Sequence, residues 1–160
     1  MVLPIQVGDQ APDFRLHNKD SQIINLKDSA GKWVVLFFYP KDDTKGWTQE
    51  AKDFSLKASD FEKENAVTLG ISPDSEKSHI KFAEKYSLTV ELLSDPDHTV
   101  LEKYGVWQKK KLYGKEYMGV VRTTFLINPA GIVAKVWEKV KVNNHAESVL
   151  ETLRELKVRA

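Results

Sequence analysis

The chain contains no cysteine in its 160 residues. Disulfides, thiol catalysis and every cysteine-ligated metal site are thereby excluded for the chain as written. An excess of charge is missing too: 24 lysines and arginines stand against 23 aspartates and glutamates, a formal net charge of +1. That balance argues against nucleic acid as a partner, because phosphate binding calls for a basic excess on one face. No apolar run approaches the roughly eighteen residues of a membrane span. The N-terminal "MVLPIQVGDQ" lacks the basic-then-apolar order of a signal peptide. Together these absences predict a cytoplasmic protein with no membrane or nucleic-acid partner. Repeats, low-complexity segments and linkers are also missing, so residues 1–160 are expected to form one domain.

Several chemistries lack their residues. The 4 histidines, His17, His79, His98 and His145, are scattered with no pair at ligand spacing, so no metal is expected. Ser72 and Ser75 lack the Gly-x-Ser-x-Gly setting of a hydrolase nucleophile. No glycine-rich phosphate loop exists, and no cofactor is expected.

What is present is an ordinary globular composition, 41% hydrophobic and 29% charged. "KWVVLFFYP" (32–40) is a near-continuous β-branched and aromatic run ended by proline, the pattern of a strand buried on both faces. "AVTLGIS" (66–72) is a second such run and "VELLSD" (90–95) a shorter third. "TTFLINPAGIVAKVWE" (123–138) reads as a hairpin around Asn128-Pro129-Ala130-Gly131. An earlier hairpin is expected from "FRLHN" and "IINL" around "KDSQ".

Helices alternate with these strands. Trp47, Ala51, Phe54, Ala58 and Phe61 form one stripe, predicting a single helix of about five turns from near Gly46 to Asn65. Residues 74–87 predict a second helix, capped by Asp74 or Ser75, with Ile80, Phe82, Ala83 and Tyr86 inward. A short helix over 95–105 ends at Gly105. A last one over 145–156 turns Ala146, Val149, Leu150, Leu153 and Leu156 inward. "WQKKKLYGKEYMG" (107–119) reads as a solvated basic loop anchored by Trp107 and Tyr113. The order predicts an α/β protein: a thioredoxin-like fold, with a central mixed sheet, helices on both faces and an N-terminal hairpin. Crossover connections put the site of such a fold at the carboxyl ends of its strands.

The turn after Tyr39 lies at that edge. Pro40 ends the strand, Asp42, Asp43 and Thr44 are cap-type residues, and Gly46 permits an unusual backbone angle. From spacing alone this is a capped strand-to-helix turn. "FFYPKDDTKGWTQEAKDF" resembles the active-site segment of peroxiredoxins of the bacterioferritin-comigratory-protein type. There, proline is followed after three residues by threonine or serine and, after two more, by cysteine. "VGDQAPDFRL", "LGISPDSEKSHIKFAEKYSL", "LLSDPDHTVLEKYGVW" and "RTTFLINPAGIV" extend the resemblance over most of the chain.

The resemblance implies a thiol-dependent peroxidase scaffold that reduces hydrogen peroxide and organic hydroperoxides. A thiol reductant such as thioredoxin would serve it, with the protein a monomer or weak homodimer. It places Trp47 at the position of the peroxide-attacking cysteine. Thr44 would hydrogen-bond peroxide and thiolate, Pro40 would shield the site from water, and Arg122 would activate the sulfur electrostatically. Without the resemblance, Arg122 reads as a salt-bridge partner of an acid at a strand end, and Glu50 is a candidate for that acid.

Three departures from the family pattern follow. Trp47 removes the nucleophile, so the chain is expected to be catalytically dead. Lys52 occupies the place of the resolving cysteine, so an active relative would need an external thiol. Lys45 stands where proline is common. Either a peroxidase has had its nucleophile replaced, or this is a natural thioredoxin-fold pseudoenzyme that acts as a binding module. Trp47 lies on the stripe of Ala51 and Phe54 and could bury as core, or it could be too large for a cysteine-sized niche, in which case the first helical turn is expected to unwind locally.

Overall fold

The computed structural model describes residues 5–42, 45–138 and 144–159, and for residues 45–47 the backbone alone. Its elements in chain order are β1 (Arg15–Asn18), β2 (Ile23–Asn25), a 3-10 turn (Leu26–Ser29), β3 (Trp33–Phe38), α1 (Lys45–Leu56), α2 (Ala58–Lys63), β4 (Ala66–Ser72) and α3 (Glu76–Tyr86). They continue with β5 (Glu91–Ser94), α4 (Thr99–Lys103), β6 (Trp107–Leu112), β7 (Lys115–Val120), β8 (Thr123–Ile127), β9 (Val133–Glu138) and α5 (His145–Arg159).

Seven strands form one mixed sheet in the order β2-β1-β5-β4-β3-β8-β9. The three runs β3, β4 and β5 are its parallel centre, while β1, β8 and β9 pair antiparallel to their neighbours. Every side chain of β3 is buried. Val34, Leu36 and Phe38 enter a core with Val100, Leu101, Tyr104 and Phe125. Trp33, Val35, Phe37 and Tyr39 enter the opposite core, against Phe54, Phe61, Phe82 and Leu150. Helices therefore cover both faces, which is why β3 reads as an unbroken apolar run rather than an alternating one.

Four local expectations are corrected. The long helix divides into α1 and α2 at Lys57 (φ −93°, ψ 0°). The Ser55 carbonyl there accepts from the Thr89 hydroxyl at 3.3 Å, and its own hydroxyl accepts from the Thr89 amide at 3.1 Å. That sideways tie occupies the Ser55 carbonyl at the break, while Lys57 still donates to the Asp53 carbonyl at 3.1 Å. Helix α3 buries His79 completely and leaves Ile80 exposed, because the pull of a polar network on His79 sets its rotation. Residues 107–120 are not a loop but the hairpin of β6 and β7, a separate two-stranded ribbon. Its tip is Tyr113-Gly114, both with positive φ (51° and 77°), the twist a two-residue hairpin favours. Tyr113 is fully out in solvent and anchors nothing; Trp107 instead stacks on His98 with ring centroids 3.8 Å apart.

Candidate active site at the carboxyl edge of the sheet

Parallel pairing of β3 with β4 and of β4 with β5 brings their carboxyl ends to one edge, with Phe38 beside Ile71 and Ser72 beside Ser94. Strand β8 runs the other way beside β3, so its first residue, Thr123, pairs with the last of β3, Phe38. Register alone thus delivers Arg122 to the end of the strand that feeds the turn at Pro40. These two residues are far apart in the chain and adjacent in the sheet. A second cleft of about 360 Å³, lined by Lys32, Glu62, Asn65, Thr68 and Glu91, opens at the amino ends of the same strands and is separate from this edge.

Pro40 is half-buried at the mouth of the turn. Thr44 lies outside the described residues, as does the side chain of Trp47. The backbone of Trp47 sits in the first turn of α1, which is helical from Lys45 onward. The expected unwinding of that turn is therefore absent, while the packing of the indole lies outside the described residues.

Arg122 lies within the electrostatic reach of three elements: Glu50 on α1, Lys110 on β6 and His145 at the start of α5. Burial holds the guanidinium below its ordinary basicity, and Glu50 partly restores it. Glu50 is only 2% exposed. Its burial pushes the carboxyl up to about 8, with the Arg122 charge opposing the rise and Asp53 adding to it. Burial also depresses Lys110, and Arg122 depresses it further. His145 is driven down to about 4, first by burial and then by Arg122. Arg122 thus stands at the end of β3 near the start of α1, with the buried Glu50 carboxyl in its electrostatic reach. An oxyanion or thiolate there would be favoured by charge and by the helix end together.

Beside it lies a buried polar network. Asp42, read from the sequence as a cap for α1, instead turns toward α3. Its Oδ1 accepts from the Tyr39 hydroxyl at 2.7 Å. Its Oδ2 accepts from the Ser78 hydroxyl at 2.8 Å and lies 2.7 Å from His79 Nδ1. The amide of Asp42 donates to Asp74 Oδ2 at 2.8 Å, an oxygen that also accepts from the Ser72 hydroxyl at 2.8 Å. Ser75, one of the two expected caps, does cap α3, its Oγ accepting from the Ser78 amide at 3.1 Å. Burial, then the Asp42 charge, raises both the Tyr39 phenol and the Asp74 carboxyl above their ordinary ranges.

Of the residues expected at the site, Pro40 and Arg122 lie at this one edge with Glu50 in the electrostatic reach of Arg122, while Thr44 and the Trp47 side chain fall outside the described residues. Sequence reading missed Lys110, His145 and the network of Tyr39, Asp42 and His79. A histidine on the apolar face of α3, three residues before Phe82, was the available signal. For Lys110 the signal was alternation: on the hairpin it shares a face with Gly119, and a Cβ on that glycine would stand 3.3 Å from the Lys110 stem.

Comparison with known proteins agrees with this geometry. Residues 7–136 match the family model for the AhpC/TSA family. A putative peroxiredoxin bcp of Helicobacter pylori strain J99 is 52% identical over 149 residues, spanning 93% of this chain and 98% of the relative. The peroxiredoxin Bcp of Bacillus subtilis is 45% identical over 154 residues, 96% of this chain and 98% of the relative. Among solved structures, a cysteine-to-serine mutant of Xylella fastidiosa PrxQ superposes with a TM-score of 0.91 at 37% identity, covering 96% of this chain and 98% of the other. A Xanthomonas campestris bacterioferritin comigratory protein, described for its alkyl peroxide reduction activity, gives 0.87 at 38% identity, covering 96% and 98%.

Proposed function

The chain belongs to the AhpC/TSA family, among the Bcp and PrxQ peroxiredoxins, and on that footing we propose that it is a thiol-peroxidase scaffold whose nucleophile position is filled by Trp47. The family reduces peroxides at the expense of thiols. With no cysteine anywhere in the sequence, no sulfenate can form, so this chain is catalytically silent as written.

The observation that carries the reading is the delivery of Arg122 to the carboxyl end of β3, in electrostatic contact with the buried Glu50. A cation held there has a clear use: it stabilises a thiolate on the first turn of α1 and the oxygen that departs when the thiolate attacks a peroxide. In this reading Thr44 orients the peroxide and Pro40 keeps water from the sulfur. A thiol reductant such as thioredoxin would regenerate an active form, and the protein would work in the cytoplasm as a monomer or weak dimer. Among the described residues no helix is long and apolar enough to cross a membrane.

The test is peroxide consumption by Trp47→Cys with dithiothreitol as reductant and the present chain as blank. Saturable turnover well above that of a free thiol supports the scaffold reading. Reaction no faster than a free thiol means the edge has lost its activating geometry, and a binding role for a pseudoenzyme takes its place.

A further inference from the structure

The interior of α3 holds a histidine that the peroxidase reading does not use. His79 is completely buried, and both ring nitrogens meet acceptors: Nδ1 lies 2.7 Å from Asp42 Oδ2 and Nε2 lies 3.2 Å from the Leu93 carbonyl. A carbonyl oxygen can only accept, so Nε2 carries a hydrogen. Asp42 Oδ2 already takes the Ser78 hydroxyl, and Oδ1 takes the Tyr39 hydroxyl. One proton closes the short contact between Nδ1 and Oδ2, so His79 is the partner on which that buried oxygen depends, with Ser78 beside it.

We propose that His79 is the positioning residue of the active-site turn. Through Nδ1 it fixes the Asp42 carboxyl group and thereby the entry of the chain into α1, three residues upstream of the helix start at Lys45. Ser78 and Asp74 add second and third ties from the same stretch, so the turn is clamped to the start of α3 as well as to its own strand. A buried carboxyl group that loses its closest hydrogen-bond partner is costly, and Asp42 is the member of the network that leads into α1. This assignment concerns what shapes the turn, and it leans on the peroxidase reading only for what the turn is for.

Two near-isosteric replacements separate positioning from simple packing. In His79→Asn the amide nitrogen reaches the place of Nδ1 and can still donate to Asp42, but the Leu93 bond is lost. In His79→Gln the amide reaches the place of Nε2 and keeps the Leu93 bond, but Asp42 loses its donor. Hydrogen exchange of the Gln49, Glu50 and Ala51 amides, which the first turns of α1 protect, reads the turn in the present chain without any activity. His79→Gln is expected to speed their exchange about tenfold or more, with His79→Asn within about 1.5-fold of the parent. Equal acceleration in both variants, or none in His79→Gln, overturns the proposal. Should His79→Gln not fold, Ser78→Ala removes one donor from the same oxygen and is expected to speed the same amides about threefold; no change there also overturns it. Because these readings use the cysteine-less chain, they stand or fall separately from turnover by Trp47→Cys.

Discussion

The Thr124 hydroxyl and Nε2 of His145 stand 2.9 Å apart in the interior, joining β8 to the first residue of α5. The imidazole is flanked edge-on by Phe54 and Trp137. Enclosed by rings and facing the Arg122 charge, it has little reason to take a second proton, and it titrates only near 4. A base whose folded value lies below its ordinary 6.5 contributes stability that is present above 6.5 and lost as pH falls through 4. His145→Gln, which keeps a polar group for Thr124 but cannot charge, is expected to flatten the loss of stability on acidification. Urea midpoints taken from pH 4 to 7 check this; an unchanged slope in the variant contradicts it.

Glu50 acts in the opposite sense. Its folded value of about 8 lies above the ordinary 4.5, so its contribution is full below 4.5 and lost as pH rises through 8. Between 4.5 and 6.5 the two groups oppose each other, and between 6.5 and 8 Glu50 acts alone. Glu50→Gln is therefore expected to match the parent near pH 4 and to exceed it increasingly from pH 5 to pH 8. Each pKa unit is worth about 1.4 kcal/mol, so the gap should be measurable as a rise in Tm at pH 8. A constant offset at all pH values would show that Glu50 is ionised throughout.

Gly70 packs against the outer end of a ring. A Cβ built there would lie 2.5 Å from Phe37 Cζ and 2.8 Å from Cε2, inside the core between β3 and α1. Phe37 is itself stacked on Phe54 at 4.8 Å between centroids, so it has no free direction in which to retreat. Gly70→Ala should lower stability by about 1–3 kcal/mol through overpacking. Phe37→Leu in the same background should recover part of the loss, a rescue that a purely entropic glycine effect would not give.

Much of this architecture was legible because the residues that write it are local. The apolar run of β3, the Asn128–Gly131 turn and the stripes of α1 and α5 each declare themselves within a dozen positions. The break at Lys57 was invisible because its cause, Thr89 bonding to Ser55, lies in another element. The ribbon of β6 and β7 was hidden for a different reason: a Tyr-Gly tip and a lysine-rich strand match neither the usual turn pair nor the usual strand composition. At the site, the roles expected of Pro40, Thr44 and Arg122 came through the resemblance, and Glu50 came as the candidate acid for Arg122. Asp42 looked like a helix cap, and only the packing of α3 on the sheet reveals that its carboxylate is taken by His79.

The ribbon tip offers its own test. Tyr113 has φ 51°, a left-handed angle that costs a bulky residue and suits asparagine, and its ring is fully exposed. Tyr113→Asn removes no packing and places the preferred residue in the turn, so it should raise Tm slightly, by the equivalent of about 0.5–1 kcal/mol. Gly114→Ala, at φ 77°, should do the reverse by about 1 kcal/mol. A fall in Tm for Tyr113→Asn would mean that the ring covers a surface of a partner molecule.

Arg122 carries the functional reading, and its removal in the Trp47→Cys form is the sharpest check on it. A thiolate at residue 47 would sit on the first turn of α1, and the guanidinium that reaches Glu50 on that helix favours the charged sulfur. Arg122→Met keeps much of the aliphatic stem and deletes the charge. It should raise the pH midpoint for alkylation of Cys introduced at 47 and slow peroxide reduction by about a hundredfold or more, the usual consequence of losing one charge-stabilising donor. Arg122→Lys should recover the alkylation midpoint better than the rate, since an ammonium supplies charge but not the planar fork that can hold sulfur and oxygen at once. Measured together, midpoint and rate separate the two roles. If Arg122→Met leaves both unchanged, the arginine serves only the fold, and the activating charge must come from Lys110 or from the helix end alone.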